Sequence, residues 1–367
     1  MSEKKNSLSF RDVMGNCDGK GDIDCSNKGL TSLEGCPDSI EGYFNCSGNR
    51  LQSLDGGPTA VHGDYDCSNN QLTALDGSPN RILGDFDCSG NHLTSLKQGP
   101  KRVKGSFDCS FNYLTTLAGA PHKVSGDFIC SDNLLASLEG TPHEVADYDC
   151  SNNQLTSLDG GPEEVRGDFD CTNNHLTTLR GSPAFVMGDF SCQANQLTSL
   201  KGGPAEVYGN FDCSNQKLIS LKGAPKVVGG DFSCRGNRLT SLKGAPPEVM
   251  DVDCSSNQLT SLEGCPEKVG GDLSCRGNKL ATLKGAPQKV KGSFDCSGNL
   301  LTSLKGSPTK VKGDFNCSGN PLASIDGPLK KVGGNFTCAT ESGFITENSV
   351  RDACTIKGGY IDAGAQP

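Results

Sequence analysis

Sixteen of the twenty cysteines recur at a near-constant interval, from Cys25, Cys46 and Cys67 through Cys109 and Cys130 to Cys317 and Cys338. The step is twenty-one residues, shortened to twenty before Cys150 and before Cys254. Self-similarity of this kind means one short unit copied end to end, and no copy can bury its apolar face without its neighbours. The expected fold is therefore a repeat solenoid, and function is expected on its surface.

One copy runs from Val103 through Phe107, Cys109, Asn112, Leu114 and Leu117 to Pro121. Apolar residues alternate across F-x-C, which is strand spacing, so Phe107 and Cys109 face one side while Ser106, Asp108 and Ser110 face the other. Stacked in register, these strands predict a mainly β fold with one long parallel sheet, about sixteen rungs and little helix. At ~4.8 Å per rung the result is a curved rod of roughly 75 Å, with cysteine and phenylalanine ladders inside. Leu114, Leu117 and Val124 are expected to close the back of the core. The asparagine three residues after the cysteine, present in thirteen of sixteen copies, suits a turn whose buried backbone groups need partners. Gly119 and Pro121 keep the return segment extended. The two short copies drop the glycine between valine and strand, at Val145-Ala146-Asp147 and Val249-Met250-Asp251, which reads as a tolerant loop.

Strand, asparagine and two leucines at these offsets resemble the leucine-rich repeat. The pattern is most similar to the short bacterial type found in secreted effectors of Gram-negative pathogens and in repeat proteins of large bacteriophages. The resemblance spans roughly residues 20 to 345 and implies a curved solenoid that binds protein partners. Phe and Cys stand where leucines are usual, and each copy has one extra residue. Some effectors of that type end in a ubiquitin-ligase domain with a catalytic cysteine; about thirty residues follow Cys338, and that activity is not expected.

The resulting division is an N-terminal cap over 1–20, a leucine-rich-repeat-like solenoid over 21–345 and a C-terminal cap over 346–367. Residues 7–14 are expected to form a short helix with Leu8 and Val13 against the first rung. At the other end, Thr346 to Ala353 are expected to be helical, and Gly358 to Ala363 to form a last degenerate strand with Ala363 in the cysteine's place.

The opening MSEKKNSLSF has no apolar signal-peptide core, so the expected location is cytoplasmic, the host cytoplasm if phage-encoded. Ladder cysteines on adjacent parallel strands have poor geometry for bridging and behave as small apolar core residues when reduced. Cys17, Cys36, Cys265 and Cys354 lie outside the ladder.

The formal charge of -9 hides a polarised molecule. Aspartates stand three residues before the cysteine, among them Asp127, Asp147, Asp168, Asp189, Asp231 and Asp272, and one residue before it, among them Asp108, Asp149, Asp170, Asp212 and Asp295. Lysines such as Lys289, Lys291, Lys310 and Lys312 gather on the return segment. The acidic face serves solubility, or a basic protein partner, or Ca2+ bridging neighbouring carboxylates. No other cofactor is implied, and neither a membrane nor direct nucleic-acid contact is expected of this balance.

No nucleophile, acid–base set, P-loop or zinc motif emerges, so the chain is not expected to be an enzyme. The five histidines vary in position between copies and read as surface substitutions. The candidate anchor lies where the copies disagree. Phe111 fills a slot usually held by Gly or Asn, Ile129 replaces an aspartate, and Tyr113 and Leu134 occupy equivalent turn positions one rung apart, with Asp108, Asp127 and Asp132 around them. A non-enzymatic interaction scaffold acting on a host protein is the leading function. The alternatives are a structural component of a virion or other assembly and an acidic nucleic-acid mimic. The sequence sets no oligomeric state.

Overall fold

The computed structural model describes residues 8–338 and 345–362. It divides into two compact units, Met1–Leu176 with Arg180–Val186, and Thr177–Leu179 with Met187–Pro367. Each unit is a parallel β solenoid, and the chain has about sixteen turns with very little helix.

In the first unit, strand Phe107–Asp108 lies parallel between Phe86–Asp87 and Phe128–Ile129, like residue opposite like residue. The aromatic side chains point inward and form a ladder from Phe44 through Tyr65, Phe86, Phe107, Phe128 and Tyr148 to Phe169, with ring centroids 5.2 to 5.8 Å apart. Aromatic pairs at that separation add to the burial of their own area. The ladder cysteines and both leucines of each rung are also buried. All twenty cysteines are free thiols, and a ladder thiol such as Cys109 donates weakly to the carbonyl of Ile129 on the next rung, at 3.3 Å.

The second unit repeats the plan with one gap. Phe190, Phe211 and Phe232 stack at 5.6 and 6.0 Å, Val252 and Leu273 then take the slot, and stacking resumes from Phe294 through Phe315 to Phe336.

The asparagine works as the sequence suggests. Asn112 Nδ2 donates to the carbonyls of Cys88, Cys109 and Ser110 at 3.1 to 3.2 Å, while its Oδ1 accepts from the Leu93 N–H of the preceding rung at 2.9 Å. One buried amide thus satisfies four backbone groups that water cannot reach.

Where the sequence suggests one sheet and an extended return, each rung carries a second short strand. Arg102–Val103 pairs in parallel with Arg81–Ile82 and with Lys123–Val124, burying a β-branched residue in every copy, as suits a pleated surface. The deletion in the short copies falls, as expected, in the bend between the two strands of a rung, and it also interrupts the return sheet. In a full copy the residue after the valine donates to the preceding valine position, as Lys104 does to the Ile82 carbonyl. In the short copies Ala146 donates to Gly126 and Met250 to Gly230, both at 2.9 Å. With one residue missing, the strand is reached one bond early, and the return strands at Val124 and Val228 do not continue into those at Val145 and Val249.

Both ends differ in detail from expectation. The N-terminal helix covers only Phe10–Met14, with Ser9 and Asp12 forming a capping box, the reciprocal arrangement that satisfies exposed amide donors. Phe10, not Leu8 or Val13, is the buried residue, and its ring lies 6.4 Å from Phe44. The C-terminal helix is Glu347–Ala353, capped by Thr346. The last strand is displaced by one residue from the glycine-based alignment. Tyr360 pairs with Phe336 and Asp362 with Cys338, because the tyrosine ring continues the aromatic stack at 6.4 Å. Ala363 lies outside the described residues.

Candidate functional site

Both aspartate columns are built into the backbone. The carboxylate three residues before the cysteine reaches forward one rung: Asp64 Oδ1 accepts from Asp85 N–H at 2.8 Å, and Asp147 Oδ1 from Asp168 N–H at 2.8 Å. Asp127 holds Asp147 N–H at 3.1 Å, and in the second unit Asp189 holds both the backbone and the side chain of Asn210. The glycine of the G-D pair makes room for this reach, since a Cβ on Gly84 would overlap Asp64 Oδ1. The carboxylate one residue before the cysteine turns back instead. Asp108 accepts from Ser110 N–H, Asp149 from Ser151 and Asp170 from Thr172, at 2.8 to 2.9 Å, closing an Asx-type turn.

These duties explain the residue types without removing the charge, because accepting an N–H leaves a carboxylate ionised. Where neighbours crowd, the charge costs energy. Asp87 lies in register between Asp66 and Asp108, and burial first, with those like charges adding, raises its pKa above the usual carboxylate value. Burial raises Asp212 likewise. At the first rung the balance reverses, and the N–H of Ser26 lowers the pKa of Asp24. In the second unit Asp212, Asp231, Asp251, Asp253, Asp272 and Asp295 line a trough of about 490 Å³. Among the described residues no group of three or more His, Cys, Asp or Glu is arranged to hold a metal ion.

The candidate anchor residues fall into three neighbouring columns of the first unit. Ile129 is half-buried in the aspartate column, in register between Asp108 and Asp149. Phe111 sits beyond the strand at φ 53°, beside Asp132 at φ 54° in the next rung. Most other copies place Gly or Asn in this left-handed position, for example Asn69 and Gly90, and the rest use the small residues Asp132, Ala194 and Ser256, whereas a bulky aromatic there is an outlier. The Phe111 ring is 63% exposed, so packing does not compensate. Tyr113 and Leu134 are exposed in the adjacent column, and Tyr113 stacks on His92 of the rung before, 5.8 Å between centroids. His92 had read as a plain surface substitution; its signal was its place one rung before Tyr113.

The solved structures share this architecture. YopM from Yersinia enterocolitica WA-314 matches 87% of this chain over 79% of its own, with TM-score 0.55 and 21% identity. YopM from Yersinia pestis, described as a leucine-rich effector protein, matches 93% over 88%, with TM-score 0.59 and 21% identity. The chain has the leucine-rich repeat fold. No family profile matches it, and no curated protein does. On this leucine-rich repeat, sequence reasoning passed over exposed apolar side chains just after the return strands, including Met187, Tyr208 and Met250 in the second unit. Their signal is departure from the glycine or charged residue of other copies. Among the described residues no helix is long and apolar enough to cross a membrane.

Proposed function

We propose that the chain is a non-enzymatic protein-interaction scaffold that binds a basic protein partner, with Phe111 as anchor and the aspartate face as guide. In this reading it is a bacterial or phage-encoded effector acting on a host protein in the cytoplasm. The observation that carries the proposal is the backbone of Phe111. A non-glycine residue in the left-handed region costs about 1–2 kcal/mol, and an exposed ring recovers none of it from the core. An aromatic kept at that cost, with Tyr113 and Leu134 exposed nearby, has the chemistry of an interface hot spot with a charged rim. Asp108, Asp127, Asp147, Asp149, Asp168 and Asp170 extend the rim along the first unit, and Asp189 belongs to the second. A lysine- or arginine-rich surface would be steered by the summed charge of these carboxylates.

The test is capture of a stoichiometric partner by the purified chain, compared with Phe111→Gly. The glycine variant is expected to melt a few degrees higher, because it relieves the backbone, and to bind at least tenfold more weakly. Adding Ile129→Asp, which restores the usual aspartate, should deepen the binding loss. Undiminished binding by the double variant sinks the anchor, and binding unaffected by salt sinks the acidic guide.

A further inference from the structure

At and just beyond the return strands of the second unit, the exposed surface changes character along the stack. Met187, Tyr208, Val227 and Met250 are 57%, 48%, 40% and 51% exposed. Beyond them stand Lys289 and Lys291 on one rung and Lys310 and Lys312 on the next. Lys289 is in register with Lys310, and Lys310 with Lys331. Like charges directly opposite on neighbouring strands repel. Lys268 is paired with Glu248 at 2.8 Å, whereas Lys289, Lys291, Lys310 and Lys312 form no ion pair among the described residues.

A groove of about 680 Å³ lies along this face, with Val228, Gly229, Met250, Gly270 and the lysines in its lining. Its shape comes from a column of alternating size: Tyr208, Gly229, Met250, Gly270, Lys291, Lys312. A Cβ on Gly270 would stand 3.0 Å from Met250 Sδ, and one on Gly229 would overlap the Tyr208 carbonyl oxygen. Side-chain space at both glycines is thus already taken, and the groove they line runs past Met250 to the lysines. The groove also holds Glu248 and Glu267, which end the lysine column on that side, and the column runs three rungs from Lys289 to Lys331.

We propose that this groove is a second docking site, of opposite polarity to the aspartate face, for a short acidic peptide segment carrying an apolar anchor. The apolar residue packs on the exposed Met250 side chain in the groove, and the carboxylates relieve the repulsion among the unpaired lysines. A long polyanion such as RNA would run past the lysines onto Glu248 and Glu267. A flat anionic bilayer would not reach the recessed glycines.

The probe is a fluorescein-labelled octapeptide with a leucine-phenylalanine pair followed by four glutamates, titrated against the full chain. Expected are saturable binding, at least tenfold loss on replacing the glutamates with glutamine, and at least tenfold loss in the Lys289→Ala, Lys310→Ala double variant. Met250→Glu should weaken binding severalfold, while Arg238→Ala, on the asparagine turn, leaves it unchanged. Circular dichroism checks that each variant keeps its fold. The proposal is overturned if the glutamine peptide binds equally well, if the double lysine variant binds undiminished, or if oligouridylate or phosphatidylserine vesicles bind more tightly than the acidic peptide.

Discussion

The Tyr148 hydroxyl lies 3.0 Å from Thr141 Oγ1, and Thr141 donates its own proton to the Leu138 carbonyl at 2.8 Å. The tyrosine therefore donates into the threonine, deep in the aromatic ladder. Tyr65 occupies the same ladder position, but Gly57 stands where Thr141 would be, and among the described residues the Tyr65 hydroxyl has no hydrogen-bond partner. An unmade buried hydrogen bond costs more than a made one contributes. Tyr148→Phe should destabilise by about 1 kcal/mol and Thr141→Val by about 1–3 kcal/mol. Tyr65→Phe should be neutral or stabilising, and denaturant melts of the three variants test the contrast.

Asn112 is the position where a small change should do the most damage. Asn112→Ala removes the partner of the buried Leu93 N–H and of three carbonyls, so a loss of about 3 kcal/mol or more is expected. Asn112→Gln should recover part of it, because Gln216 serves the Leu197 N–H at 3.0 Å in another copy. Equal loss in both variants would show that the backbone bonds do not set the effect.

Asp87→Asn tests the aspartate face. Asparagine keeps the acceptor for the Ser89 N–H, as Asn45 does for Ser47 at 2.9 Å, and removes a charge held between Asp66 and Asp108. At pH 7 the variant should be more stable by about 1 kcal/mol, the scale of close like charges in water. The raised folded pKa of Asp87 means that the wild type regains this stability as pH falls through that pKa. The gain should therefore fade as pH falls through the raised folded pKa and be gone below about pH 4, the unfolded carboxylate value. Asp24 runs the other way: its lowered pKa contributes stability above that value, lost as pH falls through the folded pKa. Melts from pH 7 to pH 3 distinguish the two.

Thiol reactivity should separate Cys17 from the ladder. Cys17 is half-buried, burial pushes the half-buried Cys36 up to about 12, and the ladder thiols are buried, with Cys109 among those that burial raises well above the ordinary thiol value. A native titration at pH 8 should modify Cys17 first and spare the ladder, and denaturation should release all twenty thiols. Fewer than twenty in freshly purified, unfolded protein would mean that bridges form.

The sequence made the repeating core legible because identical neighbours impose identical demands: Phe107, Cys109, Leu114 and the role of Asn112 follow from spacing alone. The return strand escaped because two residues such as Lys123–Val124 are too few to show a period. The register of Tyr360 escaped because a pair of glycines aligns two ways, and only ring stacking decides between them. Acidic columns were visible, but their grip on the next rung's amides depends on a distance between copies that no single copy contains. Phe111 stood out as a departure from pattern; its backbone angle did not.

Within each unit the turn asparagine completes the turn of the rung before it, as Asn112 does for Leu93 and Asn320 for Leu301. The stack therefore has a direction. Loss or gain of a whole copy inside the array, as by recombination between similar stretches of gene, leaves every turn supplied. Trimming from the amino end also takes away no turn's amide. Trimming from the carboxyl end strands the newly exposed turn each time, so the length of such a protein can drift freely across generations while its final rungs cannot.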